Sequence, residues 1–219
     1  MPRSHDVPAV VIPFRDRHHH LPCLLSRLRG FCVIVVEQTD DLPFNRGALL
    51  NAGYVKAREL GHQRVILHDC DLIPDDTLLR MYDEPWPRPV VHFGARFRRY
   101  NNSRTYFGGV HGFTAGHFPG YPNHFWGWGG EDDALRKRTA LRNCTYARCG
   151  EYLDLEGYGR PGDKLRTLLP EHRCQNKREL LASDNQQADN HRSHTLVQSM
   201  RWEHSDGMLW GFIRHRRGA

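Results

Sequence analysis

Over its first seventy residues the chain alternates three short apolar runs with two segments of helical period, and this alternation constrains the fold more than any other feature. The run VPAVVIPF from Val7 is rich in β-branched residues and stops at Pro13, as a buried strand does where it leaves a sheet. Its exit is Pro13-Phe14-Arg15-Asp16-Arg17. Leu21, Leu24, Leu25 and Leu28 then recur at helical spacing ahead of Gly30, which predicts an amphipathic helix over 17–29. A second strand is expected at 32–37. A second helix is expected at 45–60, where Leu50, Tyr54 and Ala57 share a face and Gly61 is the stop. The third apolar run, 64–68, ends in His68-Asp69-Cys70-Asp71. Strand, helix, strand, helix, strand is the order of a parallel sheet with right-handed crossovers, so the predicted fold class is α/β. Ligands of such sheets bind beyond the carboxyl ends of the strands, and here those ends bring two arginines and two carboxylates to one crevice.

A length of 219 residues suits one domain, or one with a small appendage. No apolar run approaches the roughly 20 residues that cross a bilayer. The amino-terminal segment has no stretch of signal-peptide length, so the expected location is cytoplasmic, with a lumenal compartment as the alternative if an anchor was removed. The formal charge of +6 allows a phosphate-bearing partner. Its basic residues are scattered apart from Arg136-Lys137-Arg138 and the tail 214–217, which argues against a nucleic-acid footprint. The six cysteines form no CxxC, so structural zinc is not expected, and reduced thiols are.

The second half is less regular. Short strands are expected at 90–93, 106–113 and 145–149, a basic helix at 131–142, a glycine- and proline-rich loop at 154–164, and partial helix at 176–195.

Three constellations could carry chemistry. Asp69 and Asp71, at i and i+2, point the same way on an extended chain; one could take a hard divalent cation while the other meets a hydroxyl, or the segment is an Asp-rich turn in which Asp71 caps the next element. In FWGWGGEDD, residues 125–133, glycines surround two tryptophans and a run of three acids opens a helix. This suits a hinged aromatic flap beside sugar-binding carboxylates, although acids at a helix start also complement its dipole. In Phe44-Asn45-Arg46-Gly47, Asn45 is a candidate N-cap, while Phe44 and Arg46 could stack on a base and pair with a diphosphate.

The ordered series VIPFRDR, FNRGALLNAG, HDCDLIP, TYFGGV and FWGWGGEDD, with SDGM at 205–208 as a weaker echo, resembles the β-1,4-galactosyltransferase family, glycosyltransferase family 7. The resemblance implies a GT-A fold in a single domain, 1–219, with a UDP-sugar-binding half at about 7–75 and an acceptor-binding half at about 76–219. It implies UDP-galactose as donor, Mn²⁺ as cofactor, and a glycan or glycoconjugate as acceptor. Pro13, Phe14, Arg15, Arg17, Phe44 and Arg46 would line the uridine and diphosphate pocket, and Asp69 would meet the donor sugar or ribose. Tyr106 would sit beside the C2 substituent of the donor sugar, and Trp128 would close over the donor. Gly130, Glu131, Asp132 and Asp133 would bind the acceptor, with Asp132 as the base. Asp71 would hold the metal.

Two departures stand out. Cys70 replaces the family's usual Val, and neither of the family's later ligand patterns, Met-x-x-His or His-x-His, is present. His172 is the best remaining metal candidate, with His191 and His194 as rivals. The expected activity is an inverting, Mn²⁺-dependent transfer of galactose to a hydroxyl of a GlcNAc- or xylose-type acceptor, forming a β-1,4 linkage. Use of UDP-N-acetylgalactosamine, or a non-catalytic carbohydrate-binding role, is the alternative.

Overall fold

The computed structural model describes residues 7–100, 106–139, 141–160, 162–184, 197–205 and 207–216. Strands β1 (Ala9–Phe14), β2 (Cys32–Gln38) and β3 (Arg64–His68) lie parallel, with β1 between the other two. Helix α1 (Leu21–Arg27) joins the first pair and α2 (Arg46–Glu59) joins β2 to β3. Every residue of β1 is buried, as a central strand covered on both faces requires. Val10, Ile12 and Phe14 pack into one core with Leu21, Leu24 and Leu28 of α1. Ala9 and Val11 pack into the other with Leu49, Leu50 and Ala57 of α2. Gly53 lets α2 press onto the sheet, since a Cβ there would lie 2.2 Å from Val11 Cγ1.

The sheet continues on both sides. Beyond β3 stand β6 (Val110–Thr114, antiparallel), β5 (Val90–His92) and β7 (Cys144–Tyr146); beyond β2 stand β10 (Met208–His215, parallel to β2) and β9 (Val197–Ser205). Strand β4 (Leu72–Pro74) pairs with β8 (Tyr152–Asp154) in a separate ribbon. Helices α3 (Asp76–Asp83), α4 (Glu131–Arg138), α5 (Asp163–Thr167) and α6 (Lys177–Ser183) complete the described elements.

Several elements differ from their sequence-based bounds. Helix α1 begins at Leu21 because residues 18–20 form a turn ahead of it. Strand β6 begins at Val110, since Tyr106 to Gly109 run as irregular chain into the site. Helix α4 ends at Arg138, whose guanidinium is buried in an ion pair with Asp184 at the end of α6. One member of the Arg136-Lys137-Arg138 cluster is therefore a packing element, not part of a basic surface stripe. The partial helix at 176–195 is α6 up to Ser183; residues 185–196, with His191 and His194, lie outside the described residues. All six cysteines are free thiols, and no described helix is long and apolar enough to cross a membrane.

Candidate active site

The carboxyl ends of β1, β2 and β3 open on the same edge, and the loops beyond them carry the polar residues. Asn45 caps α2: its side chain accepts from the Ala48 N–H at 3.0 Å, while its amide donates to the Asn123 carbonyl at 2.7 Å. Asn51, one turn and a half along α2, donates to the Tyr121 carbonyl and the Asn123 side chain and accepts from the Tyr121 N–H, each at 2.8 Å. The segment 121–123 is thus clamped to α2, and Tyr121 stands beside Arg46.

Arg46 is the hub. Its Nε donates to Asp69 at 2.6 Å and its Nη1 to Asp132 at 2.9 Å and to the Tyr121 hydroxyl at 3.2 Å; Glu131 lies 3.8 Å away. The Tyr121 hydroxyl also donates to Asp132, at 3.2 Å. Gly130, with φ of +101°, turns the chain into α4, and Glu131 and Asp132 follow on its first turn, where the helix dipole favours negative charge. Asp133 points outward and pairs with Lys177 at 2.7 Å. Side chains of Asp69 and Asp132 remain 27% and 28% exposed, so both acids are open to the crevice. Burial pushes the Asp132 carboxyl up to about 7 against the pull of Arg46, with Glu131 adding to the rise. Burial likewise raises Asp69 and Glu131, again opposed by Arg46.

Gly108 closes the opposite wall: a Cβ there would meet Asp132 Oδ2 at 2.6 Å and the Tyr106 ring at 2.8 Å. Tyr106 stacks on Tyr100 with ring centroids 3.8 Å apart.

Asp69 comes directly after β3, but Cys70 and Asp71 form a turn instead of continuing an extended strand. Cys70 packs into the core, and Asp71 is partly buried. Burial, then the charges of Asp69 and Glu156, push Asp71 up to about 7, and Lys164 opposes them. Glu156 is brought there by the β4–β8 ribbon, with the Leu155 N–H donating to the Asp71 carbonyl at 2.9 Å.

Of the expected donor-pocket residues, Pro13 and Phe14 are buried, Phe14 edge-on to Trp210 at 5.9 Å. Arg15 donates to the Leu42 carbonyl and lies over the Phe44 ring at 5.2 Å. Arg17 pairs with Glu156 at 2.9 Å. Trp128 is half-buried: its backbone N–H donates to the His172 carbonyl at 2.8 Å and its carbonyl accepts from the Cys174 N–H at 3.0 Å. Sequence reasoning missed Asn51, Tyr121, Glu156 and Lys164. A buried-polar position in the apolar face of α2 marked Asn51; the other three act through contacts too distant in sequence to leave a local signature.

A mixed, centrally parallel α/β sheet with charged side chains gathered at its strand ends is the architecture of the GT-A nucleotide-sugar-binding fold. The catalytic domain of Drosophila β-1,4-galactosyltransferase 7 in complex with xylobiose matches with a TM-score of 0.66, 22% identity, and coverage of 94% of this chain and 92% of that one. A mutant of the same Drosophila enzyme in complex with manganese, UDP-Gal and xylobiose matches with a TM-score of 0.67, 22% identity and the same coverage. In sequence, β-1,4-galactosyltransferase 5 of Sus scrofa is 40% identical over 154 residues, 64% of this chain and 38% of the relative. β-1,4-galactosyltransferase 6 of Mus musculus is 37% identical over 171 residues, 69% of this chain and 44% of the relative. Residues 3–83 match the N-terminal region of glycosyl transferase group 7, and residues 88–159 match the N-terminal domain of galactosyltransferase. The chain belongs to glycosyltransferase family 7, the β-1,4-galactosyltransferases. It spans less than half the length of these curated relatives.

The family implies a divalent cation, and Asp71 suits one. Asp71 is a hard oxygen donor, and a small divalent ion is commonly held by one or two carboxylates with substrate phosphates and water completing its shell. His172 is exposed in the single turn Pro170–His172. Among the described residues no three His, Cys, Asp or Glu side chains form a ready ligand cluster.

Proposed function

We propose that this chain transfers galactose from UDP-galactose to a hydroxyl of an acceptor sugar with inversion, forming a β-1,4 linkage. The reading rests on the family, and one observation carries it: Arg46 links Asp69 at the end of β3 to Asp132 at the start of α4. One fork thereby fixes the distance between an acid on the donor side and an acid on the acceptor side. Inversion needs one in-line displacement, with a carboxylate taking the acceptor proton as the new bond forms. Asp132 is that base; its carboxyl, raised to about 7, holds a proton strongly enough to accept one near neutrality. Glu131 and Gly130 orient the acceptor, while Asp133, on the outer face, reaches only a more distant part of it.

On the donor side, Arg15 and Phe44 form a cation–aromatic wall for the nucleobase beside Pro13 and Phe14. Arg17 is available to the diphosphate when it leaves Glu156. Trp128 caps the donor, and Tyr106 crowds the C2 position of its sugar. A divalent ion held by Asp71, with His172 as the expected second protein ligand, would supply charge neutralisation to the leaving diphosphate. Residues 7–75 thus serve the UDP-sugar and most of 76–219 the acceptor, with Glu156 and Lys164 returning to the donor side.

The Drosophila enzyme of the same fold is described with manganese, UDP-Gal and xylobiose, which supports this donor and a xylose-type acceptor alongside GlcNAc. The test is a panel of UDP-sugars with Mn²⁺ and both acceptor types, read by product mass. Galactose transfer supports the reading; no sugar nucleotide consumed under any pairing overturns it.

A further inference from the structure

Asp40 lies just past the end of β2, in the loop that leads to α2. Its Oδ1 accepts from Gln38 Nε2 at 2.8 Å and from the Leu42 N–H at 3.1 Å, and its Oδ2 accepts from the N–H and from Nδ1 of His215 at 2.7 and 2.8 Å. The side chain of Asp40 is 5% exposed and that of His215 is 0%. Burial alone would raise the Asp40 carboxyl, but the bonds from His215 and Gln38 hold it below its ordinary value. An ionised carboxylate only accepts, so Nδ1 of His215 carries the proton. Pairing of β10 with β2 ends at Ile213 opposite Gln38. Past that point His215 bonds to the loop instead of to a strand.

The loop so pinned carries the wall assigned to the nucleobase. Gln38 donates to the Leu42 and Pro43 carbonyls at 3.1 and 3.2 Å, and the Leu42 carbonyl also accepts from Arg15. The His215 ring meets Trp126 edge-on, with centroids 5.0 Å apart. Next to Trp126, the Gly127 N–H donates to the Phe44 carbonyl at 2.9 Å. His215 Nε2 is buried and has no hydrogen-bond partner among the described residues, so the imidazole is oriented through Nδ1.

The loop after β2, the tryptophan segment before α4 and the last residue of β10 thus meet at one imidazole, although they lie far apart in the chain. We infer that Asp40 and His215 form a positioning pair for the donor site: the end of β10 pins the loop that carries Phe44 and the carbonyl holding Arg15, and backs the tryptophan segment from behind Trp126. Neither residue is assigned a contact with substrate. A wall held in place before the nucleotide arrives spares binding the cost of ordering it. This rests on the nucleobase role proposed above for Arg15 and Phe44.

The test is the affinity for UDP in the presence of Mn²⁺, measured by calorimetry on wild type, His215→Phe and His215→Asn, each checked for folding by circular dichroism. His215→Phe keeps a ring against Trp126 but cannot donate to Asp40, and should bind UDP about tenfold more weakly, the order of one lost charge-assisted hydrogen bond. His215→Asn returns an amide donor near the Nδ1 position and should stay within about threefold of wild type. Wild-type affinity in folded His215→Phe, or equal weakening in both variants, overturns the inference. Hydrogen exchange of the wild-type protein needs no variant: UDP should slow exchange of the Leu42 and His215 amides together, since both donate to Asp40. Slowing at Leu42 alone overturns it. A wild type that binds no UDP removes the transferase reading along with this inference, whereas UDP binding that His215→Phe leaves intact removes only the positioning pair.

Discussion

Arg46 Nη1 donates to Asp132 at 2.9 Å although 86 residues separate them in the chain. The same guanidinium holds Asp69 at 2.6 Å, so the first residue of α2 fixes the spacing of two acids that belong to different parts of the sheet edge. Sequence reasoning assigns Arg46 to the diphosphate. In the free protein its guanidinium also positions the two acids.

Arg46→Lys keeps the charge but loses the planar fork, so Asp69 and Asp132 are no longer held in register. A misplacement near 1 Å is expected to lower kcat by about 10²-fold with a smaller effect on KM for the donor. Arg46→Met leaves both acids without their counter-charge and should destabilise the fold by about 3 kcal/mol, the low end for buried pairs because both acids remain partly open. Steady-state kinetics and urea denaturation read the two effects.

The raised acids give activity and stability opposite pH slopes. Asp132 must be ionised to accept a proton, so kcat/KM should rise through an apparent pKa near 7; the limb belongs to the coupled acid cluster, not to one residue. For stability, Asp71 and Asp132 have folded-state values near 7, above the unfolded value of about 3.9. Their contribution is fully present below the unfolded value and is lost as pH rises through about 7. Without metal or nucleotide the midpoint of thermal unfolding should therefore be higher at pH 5 than at pH 8, and Asp71→Asn should flatten that difference.

Asn51 makes three buried hydrogen bonds to residues 121 and 123. Asn51→Leu leaves the Tyr121 N–H and carbonyl unpaired, at a cost of about 1–3 kcal/mol for each group left unsatisfied. Because Tyr121 also donates to Asp132, the variant should lose turnover more steeply than Tyr121→Phe, which removes one hydroxyl and keeps the segment in place. Chemical denaturation together with kcat for the two variants makes the comparison.

Donor choice should follow Tyr106. Its ring is stacked on Tyr100 and buried against Gly108, so it cannot swing away from a larger C2 substituent without breaking the stack. Wild type should prefer UDP-galactose over UDP-N-acetylgalactosamine, and Tyr106→Leu should narrow the preference by roughly 10- to 200-fold, the effect of one pocket contact worth about 1–3 kcal/mol. Competition between the two donors in one reaction, read by product mass, gives the ratio directly.

The strand–helix alternation of residues 9–68 is legible in the sequence because each helix carries its own period and its own stop, Gly30 after α1 and Gly61 after α2, although β1 runs one residue past the expected stop at Pro13, to Phe14. Helix α3 escapes that reading although Leu78 and Tyr82 form its buried face, since its eight residues offer little more than two turns of pattern. Strand β10 enters the sheet beside β2 from the far end of the chain, and no local feature of Met208–His215 announces a parallel partner at Ile34–Gln38. The site divides in the same way. The acids of DCD and EDD are visible as motifs, but their counter-ions are not. Arg46 reads as a phosphate ligand, and its bonds to Asp69 and Asp132 leave no mark in the sequence; Glu156 and Lys164 read as ordinary loop residues, and their ion pair becomes visible only in the fold.

Every role proposed for the site depends on Asp132 taking the acceptor proton in an inverting galactosyl transfer. Proton NMR of the product formed from UDP-galactose, whose galactose is α-linked, tests this step without intermediaries, with wild type and folded Asp132→Asn followed side by side under Mn²⁺. Wild type should give a β-linked galactoside and the variant the same product at least about 10²-fold more slowly, with UDP-galactose affinity nearly unchanged. An α-linked product, or β-linked product made by Asp132→Asn at the wild-type rate, would refute the assignment.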